Sequence, residues 1–150
     1  AFSGAEPFIN GIVSLLRHID ERNLQNIRIW PDDVRLILDD LPESSFTSVY
    51  VMFPDPWPKT RHAKRRIFSP SMLDKLAFCI KSGGNLRFAS DHPVAKSWLL
   101  AEVLRNSAFS WTAQSAKDWR SRPSNWPPSR YMVKGEQEGR ASSWFDFKRH

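Results

Sequence analysis

A chain of 150 residues, 41% apolar and 25% charged, is long enough for one folded domain with a real core and excludes a disordered polar polymer. No run of about eighteen apolar residues occurs, which excludes a spanning helix, and the opening residues lack the pattern of a secretory leader. Twenty-two Lys and Arg against sixteen Asp and Glu give a net charge of +6.

That charge is polarised. Residues 1–50 hold four basic and eight acidic side chains, whereas residues 51–150 hold eighteen basic and eight acidic ones. Clustered cations of this kind suit a polyanionic partner, because they release counterions from a phosphate backbone. The single cysteine, Cys79, cannot form an internal disulfide or build a zinc site, which fits a reducing, cytoplasmic setting.

In chain order, Ala1–Glu6 reads as the tail of a strand already under way. Ile9, Ile12, Val13, Leu15, Leu16 and Ile19 recur at three- and four-residue steps, which predicts an amphipathic helix over 7–22 with Pro7 in its first turn. Asn26–Trp30 is a short strand stopped by Pro31, and 34–38 carries a brief helical pattern. Ser48–Phe53, β-branched and aromatic on both faces, is expected as a buried parallel strand. A proline-broken basic loop follows over 54–68. Ser69-Pro70 supplies an N-cap and a first-turn proline for a helix over 71–81, which Ser82-Gly83-Gly84 should cap in a left-handed turn. Leu86–Ala89 reads as a strand, 92–105 as a helix, 115–130 as a Ser-, Pro- and Arg-rich surface loop, and Ser143–Lys148 as a closing strand. This alternation implies a mostly parallel α/β sheet with helices on both faces.

In open parallel sheets, ligands bind beyond the carboxyl ends of the strands. The residues there are acids in all four cases: Glu6, Asp32-Asp33, Asp55 and Asp91. A carboxylate just past a strand can accept hydrogen bonds from a ribose diol, the usual task of such an acid in nucleotide-like cofactor sites. The densest signal is Phe53-Pro54-Asp55-Pro56-Trp57-Pro58-Lys59-Thr60-Arg61-His62-Ala63-Lys64-Arg65-Arg66. Its three prolines remove backbone donors and fix φ, so the segment is stiff and holds Asp55 at the edge of the sheet. Trp57 offers a flat face for stacking on a base, and the following cations can track a phosphate backbone. The histidines His18, His62, His92 and His150 are too scattered for a metal site. Cys79 lies among Met72, Leu73, Leu76, Ala77 and Ile80 and is expected in the core, as is Trp111.

The segment Phe53–Arg66 resembles the signature of the bacterial tRNA (guanine-N7-)-methyltransferases, which use S-adenosylmethionine to methylate a variable-loop guanosine. Gly4-Ala5-Glu6, Asp32-Asp33-Val34, Phe88-Ala89-Ser90-Asp91 and Ser129-Arg130-Tyr131 are similar to further motifs of that family, in the same order along the chain. The resemblance implies a Rossmann-like class I methyltransferase sheet in a single domain over 1–150, with the family's first strand and Gly-rich loop not found in this sequence. It implies that Glu6, Asp33 and Asp55 bind S-adenosylmethionine and that Asp55 is catalytic. Lys59, Asp91, Ser129, Arg130 and Tyr131 would bind substrate, and Arg61, His62, Lys64, Arg65 and Arg66 would contact tRNA. Met132 stands where the family has Glu. Neither a metal, a membrane nor a protein partner is implied.

The chemistry is consistent with those residues. Guanine N7 carries a free lone pair and needs no deprotonation to attack a sulfonium methyl. Asp55 could accept from the N1–H and N2–H₂ donors of guanine, from the cofactor amino group, or from both. The sequence admits one alternative of a different class, a non-catalytic RNA-binding module with the same basic surface.

Overall fold

In the computed structural model, which describes residues 1–150, the chain divides into two units, Ala1–Leu41 and Pro42–His150. In the first unit, β1 (Phe2–Ala5) pairs in parallel with β2 (Ile27–Trp30), Phe2 lying opposite Ile27 and Ala5 opposite Trp30. A parallel pair needs a crossover, and α1 (Ile9–Glu21) provides it. The helix starts later than its apolar spacing predicts. Phe8 is still extended at φ −92° and ψ 122°, its N–H held by the Glu6 carboxylate at 2.9 Å, so Pro7 precedes the helix instead of opening it. The helical pattern over 34–38 becomes two 3-10 turns, Val34–Leu36 and Leu38–Asp40, between Pro31 and Pro42.

The second unit holds a four-stranded sheet ordered β3-β4-β6-β5, built from β3 (Phe46–Met52), β4 (Ile80–Ser90), β5 (Phe109–Trp111) and β6 (Ser143–Arg149). The β3–β4 pair is parallel, but β6 runs antiparallel to both β4 and β5, so this sheet is mixed and not mostly parallel. Alternation of strands and helices does not fix the direction of the late strands. Phe145 and Phe147 meet the core equally well in an antiparallel ladder, stacking on Phe88 at 4.8 and 5.7 Å between ring centroids. The opposite face is polar where Arg87 Nε donates to Asp146 Oδ2 at 2.9 Å and Arg87 Nη1 donates to the Tyr50 hydroxyl at 2.7 Å.

Helices lie on both faces of this sheet. Trp119 of α4 (Ala116–Arg120) stacks on Phe145 at 6.4 Å. On the other face Met132 of α5 (Arg130–Gln137) joins Ala89, Trp126 and Trp144 in a buried cluster. Neither α4 nor α5 was legible in the Ser-, Pro- and Arg-rich sequence around them. Local caps build both: Asp118 Oδ2 accepts from the Ser115 N–H at 2.8 Å, and Ser129 Oγ accepts from the Met132 N–H at 3.1 Å.

The helix α2 (Pro70–Cys79) begins as its caps predict, Ser69 Oγ accepting from the Met72 N–H at 3.2 Å. It ends two residues early, because Ile80 already pairs with Phe46 as the first residue of β4. Gly83-Gly84 therefore do not cap a helix. They form an irregularity within β4, where Ile80 faces Phe46 but Asn85 already faces Ser48. Gly83 takes φ +75°, and a Cβ on Gly84 would come within 2.7 Å of the Thr47 carbonyl oxygen. The helix α3 (Pro93–Arg105) follows β4. Cys79 is fully buried in the core, as its neighbours in sequence imply, and the Trp111 ring stacks on Phe147 at 6.1 Å. No helix is long and apolar enough to cross a membrane.

Candidate active site

The Pro-Asp-Pro-Trp segment leaves the carboxyl end of β3. The Phe53 N–H still donates to the Ala89 carbonyl at 2.8 Å, after which Phe53 turns the chain outward at φ +51°. Asp55 follows, exposed between its two prolines and outside any ion pair of the chain. Trp57 adopts φ +36°, a strained conformation for a bulky residue. The expected loop over 54–68 contains a 3-10 helix, Thr60–Arg65, because the prolines end at Pro58 and the next residues are free to coil.

The loop arranges its cations unequally. Lys59, Arg61, Lys64 and Arg65 are exposed, and Arg61 Nε lies 3.3 Å from His62 Nε2. Trp57 does not present two free faces. The Arg65 guanidinium sits 4.8 Å from its centroid and the His62 ring meets it edge-on at 5.5 Å. Arg66 turns inward, with Nε and Nη2 each donating to the Trp57 carbonyl at 3.3 Å.

Asp91 lies just past β4, the parallel neighbour of β3, so Asp55 and Asp91 leave the same edge of the sheet. Asp91 Oδ2 accepts from Arg140 Nε at 2.7 Å, and Arg140 also pairs with Glu138. Hydrogen bonding to Asp91, then to Glu138, raises the Arg140 guanidinium above its ordinary value. The carboxylate rests on α5: a Cβ at Gly135 would come within 3.0 Å of Asp91 Cγ. The structure thus brings Asp91 against the helix that Ser129, Arg130 and Tyr131 begin. Within it, the Ser129 hydroxyl serves as N-cap, Arg130 and Tyr131 are exposed, and Met132 is 7% exposed.

In the first unit Glu6 follows β1 and Asp33 follows β2. A Cβ at Gly11 would lie within 2.8 Å of Glu6 Cδ, so a larger residue there would displace this carboxylate from its place against the first turn of α1. Asp33 caps the first 3-10 turn, Oδ1 accepting from both Arg35 N and Arg35 Nε at 2.9 Å. The side-chain hydrogen bond from Arg35 holds the Asp33 carboxyl below its ordinary value. Gly11, Gly135 and Arg140 were not singled out from the sequence. An isolated glycine inside a helical pattern was the available signal for the first two; Arg140 gave none.

Acids at the carboxyl ends of the adjacent parallel strands β3 and β4, with an antiparallel β6 beside them, place this chain in a Rossmann-like α/β fold shared with solved methyltransferases. Solved structures with this fold include an rRNA methylase from Streptococcus thermophilus, with TM-score 0.62 at 10% identity over 98% of this chain and 72% of that one. A SAM-dependent O-methyltransferase from Thermotoga maritima gives TM-score 0.57 at 13% identity over 98% and 49%. The chain belongs to a methyltransferase family: the family model described as "Putative methyltransferase" matches residues 1–143. Curated relatives include a tRNA (guanine-N(7)-)-methyltransferase of Rhodospirillum rubrum, 45% identical over 97% of this chain and 57% of the relative. A protein of the same name from Agrobacterium fabrum is 44% identical over 99% of this chain and 64% of the relative. The chain therefore spans about three fifths of the length of these relatives.

Proposed function

We propose that residues 1–150 belong to one methyltransferase domain whose proline-rich loop serves the transfer of a methyl group from S-adenosylmethionine to N7 of a guanosine in the variable loop of tRNA. The observation that carries the reading is Asp55: an exposed, unpaired carboxylate fixed between two prolines at the exit of β3, with exposed cations beginning four residues on at Lys59. The names of the relatives support the same reaction and favour it over a non-catalytic RNA-binding module.

The cradle at Glu6 fits the donor. The Phe8 N–H and the missing side chain of Gly11 fix the carboxylate at the exit of β1, where it can accept from ribose hydroxyls. By resemblance, Glu6 and Asp33 of the first unit are assigned to S-adenosylmethionine, which supplies an electrophilic sulfonium methyl when bound, and Asp55 of the second unit is assigned to it on its own motif. Arg35 engages both Asp33 oxygens through its backbone N–H, Nε and Nη2, so Asp33 would accept from the donor by releasing part of this pairing.

Guanine N7 already carries its lone pair, so the protein has to position the base and exclude water more than move a proton. Asp55 would accept from guanine N1–H and N2–H₂, select against adenine, and balance the positive charge that develops on the ring. Lys59, Asp91, Ser129, Arg130 and Tyr131 would bind the nucleotide, with Ser129 acting while it caps α5. Arg61, His62, Lys64 and Arg65 would meet the tRNA backbone. The buried Cys79 suits a reducing, cytoplasmic compartment.

Incubating the full-length protein with unmodified tRNA and methyl-labelled S-adenosylmethionine, then digesting to nucleosides, tests the reaction. Label in N7-methylguanosine is expected. Label in another nucleoside, or none in tRNA, overturns the proposal.

A further inference from the structure

We infer that Arg66 and Trp98 are positioning residues that clamp the Pro56–Trp57 segment, and that Arg66 stands apart from the RNA-facing cations it adjoins in sequence. The proline-rich segment has few N–H groups of its own, so its carbonyls are the handles by which the protein can hold it. Two consecutive carbonyls are held, each by a different element. The Trp98 indole, on α3 and 7% exposed, donates to the Pro56 carbonyl at 3.0 Å. Arg66, at the end of the 3-10 helix, donates twice to the Trp57 carbonyl at 3.3 Å. The two donors pack on each other, the Arg66 guanidinium lying 5.4 Å from the Trp98 ring centroid.

The clamp explains how Trp57 persists at φ +36°, since a strained backbone lasts only where its surroundings over-determine it. It also fixes what Trp57 carries. Arg65 lies over that ring and His62 meets its edge, so the direction of both depends on the Trp57 backbone. Asp55 is joined directly to the clamped Pro56. With its fork on an internal carbonyl and its plane on Trp98, Arg66 is not turned toward a phosphate in solvent.

The part of this inference that concerns catalysis rests on the proposed function; the part that concerns the loop does not. Full-length Arg66→Gln, Arg66→Lys, Trp98→Phe and Lys64→Gln variants separate the two. Hydrogen–deuterium exchange of amides in 53–68 should quicken about tenfold in Arg66→Gln and Trp98→Phe and stay unchanged in Lys64→Gln. In tRNA binding, Lys64→Gln should lower the log–log salt slope by roughly 0.7–0.9, the value for one neutralised phosphate, while Arg66→Gln leaves it unchanged. In turnover, Arg66→Gln should lower kcat about tenfold with KM nearly constant, and Arg66→Lys, which keeps the positive charge on a single donor nitrogen, should recover part of it. Unchanged exchange in Arg66→Gln, or a salt slope that falls as it does for Lys64→Gln, overturns the inference. Absence of methyl transfer by the wild-type protein would overturn the proposed function instead, and the exchange result would still decide the clamp.

Discussion

Asp91 and Arg140 meet at the carboxyl end of β4, Arg140 Nε donating to Asp91 Oδ2 at 2.7 Å, with the Asp91 side chain 15% exposed. One oxygen is thereby committed to a residue 49 positions away, and Gly135 of α5 closes against the same carboxylate. Burying a carboxylate without a partner is costly, and Arg140 supplies the partner. The pair joins β4 to the chain that follows α5, so the acid that would meet the substrate is held on two sides.

Gly135→Ala should therefore destabilise the protein, although alanine is the better helix former by about 1 kcal/mol. The new methyl would overlap Asp91, and the expected net loss is about 1–3 kcal/mol by urea denaturation. Combined with Asp91→Ala, the loss should be smaller than the sum of the single variants, because the obstructing carboxylate is gone. A stabilised Gly135→Ala variant would show that α5 does not press on Asp91.

Met132→Glu, which places the residue of the resembled family at this position, should cost about 2–4 kcal/mol at neutral pH. The site is 7% exposed and lined by Ala89, Trp126 and Trp144. Burial would raise the pKa of the new carboxyl above its unfolded value. The folded state would then bind the proton more tightly, so the deficit should shrink as pH falls through the folded value toward the unfolded one. Equal deficits at neutral and mildly acid pH would mean that the new carboxylate reaches solvent.

The exposed cations of the 3-10 helix should supply affinity and not base choice. Replacing Arg61, Lys64 and Arg65 by Gln in the full-length protein should weaken tRNA binding. It should also flatten the salt dependence by roughly 0.7–0.9 in log–log slope for each phosphate left without its cation. An unchanged slope would place the RNA elsewhere, Arg120, Arg122 and Arg130 being the alternatives.

How much of this was legible in sequence depends on the range of the interaction that decides each feature. Caps and local periodicity announced α1, α2 and α3, because Ser69-Pro70 and apolar residues at helical spacing act within one or two turns. The acids at strand exits were legible for the same reason. Gly83-Gly84 misled, since the same dipeptide serves a helix cap or a strand irregularity, and only pairing with Phe46 and Ser48 distinguishes them. α5 was hidden because its buried residues, Met132 and Gly135, are chosen by Trp144 and Asp91, which lie elsewhere in the chain. The inward turn of Arg66 was likewise invisible: its partners are a backbone carbonyl nine residues back and the Trp98 ring, while the two cations just before it, Lys64 and Arg65, are exposed.

The central claim is that Asp55 serves methyl transfer and not the fold. The most direct measurement is the rate of N7-methylguanosine formation by the full-length Asp55→Ala variant, at saturating tRNA and S-adenosylmethionine, beside its melting temperature and tRNA affinity. Because Asp55 is exposed and joins no ion pair, melting and affinity should stay near wild type while the rate falls more than tenfold. A variant that keeps more than about a tenth of the wild-type rate, a deficit below roughly 1.4 kcal/mol, would contradict the assignment.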